Sequence, residues 1–79
     1  METSNYSSEQ LRTLKKFGEE LKMLRESKNL TQEALAYNAG FSRSYYTEVE
    51  NGKRNISLLN IYKLADVLDV PFYEFLKHE

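Results

Sequence analysis

Residues 31–52 read TQEALAYNAGFSRSYYTEVENG, and the punctuation of this stretch decides the fold. Thr31 is a good N-cap, because its hydroxyl can accept a hydrogen bond from a backbone N–H that the first helical turn leaves unsatisfied. Leu35, Ala36 and Ala39 give a short apolar face before Gly40, which tolerates the left-handed conformation that ends many helices. This spacing predicts a helix over about residues 32–39. Ser42 can cap again, Tyr46 and Val49 fall three apart on one side, and Asn51-Gly52 closes a second helix near residue 51. Only Gly40-Phe41 and the cap separate the two. So tight a link prevents them from lying side by side, and a helix–turn–helix crossing is the natural geometry, with the small Ala36 allowing close approach.

Outward from this unit the apolar residues keep a spacing of three and four. Ser7 and Gln10 have capping-box spacing, and Leu11, Leu14, Phe17, Leu21 and Leu24 form one stripe, so a first helix is expected over about residues 8–28. Gly18 inside it costs about 1 kcal/mol relative to Ala, unless another backbone packs close there. Residues 53–56 read as an exposed loop. Ser57 caps a further helix with Leu58, Ile61, Leu64, Ala65 and Leu68 inward, and Pro71 suits the first position of a last short helix carrying Phe72, Phe75 and Leu76. One Pro, three Gly and few Val/Ile/Thr alternations argue against a sheet. The expectation is an all-α, compact five-helix domain over residues 8–79 behind a polar, flexible tail of residues 1–7, with the helix–turn–helix at 31–51 and C-terminal helices over 57–77.

The totals exclude several classes of function. Seventy-nine residues make one domain. The absence of Cys precludes disulfides and thiolate metal clusters, and fits a reducing cytosol. No apolar run reaches the ~18 residues of a membrane span, and no charged-then-apolar leader is present. A cytoplasmic location without a membrane partner is therefore expected, and the three glycosylation-type triplets at Asn5, Asn29 and Asn55 are chance matches. Nucleophilic catalysis lacks a Cys and an internal His, and the adjacent Glu19 and Glu20 diverge on a helix, so they form no acid/base pair. The glycines follow no phosphate-loop spacing. Glu74 and His78 stand four apart near the chain end, too few ligands for a metal site. No enzyme, catalytic residue, metal, cofactor or small-molecule ligand is expected.

Charge at first argues against nucleic acid as well. Eleven basic and twelve acidic residues leave a net charge of −1 and a sequence pI of about 5.8, whereas a nucleic-acid-binding domain usually lies above a pI of about 9. The solvent face of the second short helix points the other way. At about 100° per residue, Arg43, Ser44, Thr47 and Glu48 share one arc of about 140°, opposite Tyr46 and Val49, with Tyr45 at the border. An Arg at a helix N-terminus works against the macrodipole, so helix stability does not explain Arg43. Reaching a guanine edge through O6 and N7 in a major groove does. Thr31, Gln32 and Ser42 lie at helix N-termini, which favour anions such as phosphate, and Lys53, Arg54 and Asn55 follow closely enough to reach an adjacent DNA backbone.

Thr31-Gln32-x-x-Leu35-Ala36-x-x-Ala39-Gly40-x-Ser42, followed by Val49-Glu50-Asn51-Gly52, resembles the helix–turn–helix of the phage repressor/Cro (xenobiotic-response-element) family. The likeness continues through Ser57-Leu58, Ile61, Leu64-Ala65, Leu68 and Val70, and so covers about residues 17–76. Arg43-Ser44-Tyr45 and residues 52–58 are most similar to the controller proteins of restriction–modification systems. The resemblance implies a dimeric, sequence-specific regulator that binds a palindromic operator in double-stranded DNA and governs its own gene and that of an endonuclease, with RNA polymerase as a further candidate partner. It assigns base reading to Arg43, Ser44, Thr47 and Glu48. Phosphate contact falls to Gln32, Ser42, Asn51, Lys53 and Arg54, with Asn55 beside them and Tyr45 against the DNA backbone. It also implies an ion pair between Arg25 and Glu50, which fixes the second short helix on the first helix. Tyr46 and Phe41 stand where aliphatic residues are usual in the family.

Leu59, Tyr62 and Val67 lie outside the inward stripe of the penultimate helix, close in the chain to Phe72 and Tyr73. Such a cluster suggests a patch that a second subunit covers, and the family dimerises through its C-terminal helices. A two-fold dimer would set two recognition helices roughly 34 Å apart, one DNA turn. The rival reading from another class is an antitoxin-like protein-interaction module. An extra arm would favour it, and the chain offers little beyond residues 1–7. The charge distribution suits the DNA reading better than the total does. Residues 1–57 carry nine basic and eight acidic side chains, whereas residues 58–79 carry two basic and four acidic, so the acid surplus lies in the expected dimerisation helices.

Overall fold

The computed structural model describes residues 5–76. Four α-helices follow one another: α1 (Ser8–Ser27), α2 (Gln32–Ala39), α3 (Arg43–Glu50) and α4 (Leu58–Leu68). Each begins at a hydroxyl N-cap. Ser7, Thr31, Ser42 and Ser57 accept hydrogen bonds from the backbone N–H groups of Gln10, Ala34, Tyr45 and Asn60, so one orphan donor of every helix is satisfied locally. The Gln10 side chain returns the bond to the Ser7 N–H and completes a capping box. Gly40, at φ 82°, ends α2 in the left-handed region, and the Phe41 N–H reaches back 2.8 Å to the Ala36 carbonyl. The chain thereby turns into α3 at once.

The fifth helix is shorter than the sequence suggests. Asp69, at φ 57°, stops α4, Pro71 is extended (φ −62°, ψ 145°), and a single 3-10 turn follows at Phe72–Phe75. Pro71 is thus the residue before the turn and not its first position, and the bonds run from Glu74 to Pro71 and from Leu76 to Tyr73, each spanning three residues. His78 of the expected Glu74/His78 spacing lies outside the described residues.

The core gathers Leu21 from α1, Leu35 from α2, Tyr46 and Val49 from α3, Leu64 and Leu68 from α4, and Phe75 from the 3-10 turn, all essentially inaccessible. Two side chains differ from the amphipathic reading. Ile56, in the stretch expected to be an exposed loop, is buried, and Leu58, expected to point inward, is 63% exposed. The two facts are linked. Ile56 enters the core just before Ser57 caps α4, so the first turn of α4 projects past the core edge. Leu11, at the far end of the α1 stripe, is likewise on the surface.

Gly18 marks the crossing of α1 and α3. A Cβ there would overlap the carbonyl oxygen of Glu50 and stand 2.7 Å from its carbon and 2.9 Å from the Val49 oxygen. The backbones touch at this point, which is the condition under which a helical glycine is worth its propensity cost.

Candidate nucleic-acid interface

Recognition requires a helix that is exposed on one side and rigidly held on the other. Tyr46 and Val49 bury the inner side of α3. Beneath them the Glu50 carboxylate, with 2% of its side chain exposed, receives Arg25 Nε at 2.7 Å and Arg25 Nη2 at 3.3 Å. The Tyr46 hydroxyl donates to Oε2 of the same carboxylate, and the Gln32 amide nitrogen donates to Oε1 at 2.8 Å. Arg25 Nη1 caps the assembly by donating to the Leu30 carbonyl at 2.8 Å. One buried network therefore ties α3 to α1, to the start of α2 and to the loop between them. Among the described residues, no buried side-chain nitrogen or oxygen lacks a partner. A buried ion pair contributes most where its remaining bonds are satisfied in this way.

The network sets the protonation of its members. Burial by itself pushes the Glu50 carboxyl up, but the hydrogen bonds from Arg25, Tyr46 and Gln32, with the charge of Arg25, outweigh it and leave Glu50 below its ordinary value. Burial, followed by the neighbouring Glu50 carboxylate, pushes the Tyr46 phenol well above its ordinary value. A depressed carboxylate contributes stability that is present above the unfolded-state value of about 4.5 and is lost as pH falls through the folded one. A raised phenol contributes stability that is present below the unfolded value of about 10 and is lost above it. Thermal unfolding followed across pH should show a plateau between these edges. Tyr46→Phe should weaken the alkaline edge; a profile with no loss below pH 4.5 would be inconsistent with a depressed Glu50.

The outer side of α3 presents a different surface. Arg43 and Ser44 are exposed, and neither side chain has a partner among the described residues. Thr47 is half-buried and donates its hydroxyl to Gln32 Oε1 at 3.2 Å. Glu48 accepts from Arg54 Nε at 2.8 Å, and the Arg54 guanidinium also lies over the Tyr45 ring, 5.3 Å from its centroid. Tyr45 packs edge-on against Phe41 at 5.2 Å and accepts from Asn60 Nδ2 at 3.1 Å. The residues that carry the outer arc are thus brought together, with Arg54 folded back across them.

Several expected phosphate contacts have internal duties. The Ser42 hydroxyl caps α3, and Asn55 donates to the Tyr6 hydroxyl at 3.0 Å. The Gln32 amide lies between Glu50 and Thr47, which leaves its second N–H available. Asn51 and Lys53 are exposed at the end of α3. Sequence reading missed Gln32 as a link, Tyr46 as a donor to Glu50 and Asn60 as a brace for Tyr45. Only the Tyr46/Glu50 pair had a local signal, its spacing of four on a helix. Around α4, Leu59, Tyr62 and Tyr73 are widely exposed. The half-buried Phe72 ring stands 6.5 Å from Tyr62, while Val67 packs partly against the core.

A turn held by Gly40, two short crossed helices and an outward polar face on the second define the arrangement, and the helix–turn–helix family matches residues 21–75. The chain belongs to the helix–turn–helix family. Among its relatives are the control proteins C.MunI from a Mycoplasma, 43% identical over 60 residues and covering 75% of this chain and 81% of that one, and C.BamHI from Bacillus amyloliquefaciens, 42% identical over 55 residues and covering 68% of each. The crystal structure of the restriction–modification controller protein C.AhdI from Aeromonas hydrophila superposes with a TM-score of 0.77 at 52% identity, covering 78% of this chain and 94% of that one. This helix–turn–helix protein is therefore a DNA-binding transcription regulator of the controller type, and its relatives are regulators and not enzymes. No helix among the described residues of the regulator is long and apolar enough to cross a membrane.

Proposed function

We propose that this regulator works in the cytoplasm as a homodimer that binds a palindromic operator and controls its own gene and that of a restriction endonuclease. The observation that carries the DNA-reading part is the exposed Arg43-Ser44 edge at the start of α3, whose side chains have no partner among the described residues, set on a helix that the Arg25–Glu50 network fixes from below. Arg43 reads a guanine edge, Ser44, Thr47 and Glu48 extend the readout, and Gln32, Ser42, Tyr45, Asn51, Lys53, Arg54 and Asn55 follow the phosphates. Leu59, Tyr62 and Tyr73, with Phe72 and the edge of Val67, supply an apolar patch that a second copy covers. The endonuclease target is supported by the likeness to the restriction–modification controller protein C.AhdI.

A gel-shift titration on the DNA upstream of the protein's own gene, across a salt series, tests the proposal. Retardation should weaken steeply with salt, as phosphate contacts require. Arg43→Ala should cost about 1–3 kcal/mol, roughly 5- to 150-fold, and relax preference at one base pair of each half-site. Uniform weakening on every sequence would make Arg43 a phosphate contact, and no preference for the upstream DNA over competitor would remove the DNA-reading role.

A further inference from the structure

Thr47 sits on the outer arc of α3, and the order of hydrogen bonds behind it directs its hydroxyl proton inward, to Gln32. Arg25 and Tyr46 hold the Glu50 carboxylate ionised and acceptor-only. The Gln32 group facing Glu50 Oε1 at 2.8 Å must therefore be its NH₂ end, since a carbonyl there would repel the carboxylate. This orientation turns Gln32 Oε1 toward Thr47, 3.2 Å away. A carbonyl oxygen only accepts, so the Thr47 hydroxyl donates its single proton to it. What Thr47 shows outward is then its lone pairs and its methyl group. The chain of donors runs from the buried charge to the surface, and each link fixes the polarity of the next.

In the major groove the bases differ in that polarity. Adenine N6 and cytosine N4 are amine donors, whereas guanine O6 and thymine O4 are carbonyl acceptors at corresponding places. A free threonine hydroxyl serves either kind. We infer that Gln32 is a specificity-determining residue: by taking the Thr47 proton it makes Thr47 an acceptor-only reader, which selects an amino base over a keto base on the strand it faces. In this base selection Gln32 acts through Thr47 as a positioning residue, separately from the phosphate contact of its second N–H. The inference rests on the reading of α3 as the DNA-reading helix.

The test uses the full chain and a double-stranded DNA library with a randomised core, sequenced before and after selection for binding. Thr47→Val, which keeps the shape and removes the hydroxyl, marks the position that Thr47 reads. At that position the wild type should prefer adenine or cytosine, and an adenine-to-guanine or cytosine-to-thymine change should weaken binding about tenfold. Gln32→Leu, with its fold checked by circular dichroism, also gives up its own phosphate contact and so should bind every sequence more weakly. Relative to that lowered affinity it should shrink the penalty at the Thr47 position to less than about threefold, while the discrimination at the Arg43 position shrinks less. An unchanged penalty in Gln32→Leu, a wild-type preference for guanine or thymine there, or no position that responds to Thr47→Val would each overturn the inference. If Gln32→Leu does not fold, the wild-type preference at the Thr47 position decides alone. A wild type without any sequence preference would instead remove the DNA-reading proposal itself.

Discussion

Glu50→Ala should unfold most of what holds this domain together, lowering stability by about 3–5 kcal/mol, the usual result of removing one partner from a buried ion pair. The carboxylate serves three donors. Without it buried Arg25 keeps the Leu30 carbonyl and a distant, exposed Glu26 carboxylate 4.0 Å away, and the Tyr46 hydroxyl and Gln32 amide lose their acceptor. Buried donors left unsatisfied carry their full desolvation cost. Because about 4–8 °C is lost per kcal/mol in a domain of this size, the melting temperature should fall by at least about 12 °C. Glu48→Ala, two residues earlier, is the control. Glu48 and Arg54 form a half-exposed surface pair, and surface pairs contribute about 0–1 kcal/mol. Equal melting temperatures for the two variants would contradict the structural role of Glu50.

Gly18→Ala is expected to destabilise as well, against the sign that helix propensity gives. In an open helix the change would stabilise by about 1 kcal/mol. Here the added methyl group meets the Glu50 and Val49 carbonyls of α3, which are backbone atoms and cannot rotate away. Either α1 and α3 separate, breaking the Arg25 contact with Glu50, or α1 bends. Overpacking of this kind costs about 1–3 kcal/mol or more. Thermal denaturation of Gly18→Ala decides between the two effects: a higher melting temperature would mean that the helices do not touch at this point. Both substitutions act on the seat of α3, so the DNA affinity of any folded fraction should fall with the stability.

The caps and the turn were readable because their chemistry is local. Ser7, Thr31, Ser42 and Ser57 each bond a backbone group three residues away, and Gly40 answers to its own φ. The inward residues were readable where a helix runs alongside the core, as Leu21, Leu35, Tyr46 and Leu64 do. Periodicity failed at the ends. It placed Leu58 inside because 58 and 65 share a face, yet nothing in a repeat says how far the core extends along a helix axis. It left Ile56 outside because a lone apolar residue in a loop has no period. It also lengthened the last helix, since four residues of 3-10 turn and one turn of α-helix show the same apolar spacing.

The outer arc of α3 followed from spacing alone, because Arg43, Ser44, Thr47 and Glu48 need only a helix to share a side. The pairing of Arg25 with Glu50 came from likeness to repressors, and the structure places the two 2.7 Å apart across 25 positions of chain. No sequence signal led from Gln32 to Thr47. Whether these side chains meet depends on how α2 and α3 cross.

The sequence by itself determined the helices, their order, the tight turn and the face that looks outward, because these depend on contacts within about four residues. The tertiary structure alone decided which polar atoms are already committed when α3 presents itself: Arg54 to Glu48, Ser42 to its cap, and the Thr47 proton to Gln32. The physical reason is that hydrogen-bond polarity is fixed by partners brought together across the chain. A hydroxyl that can donate or accept in the sequence becomes an acceptor only after the fold has assigned its proton.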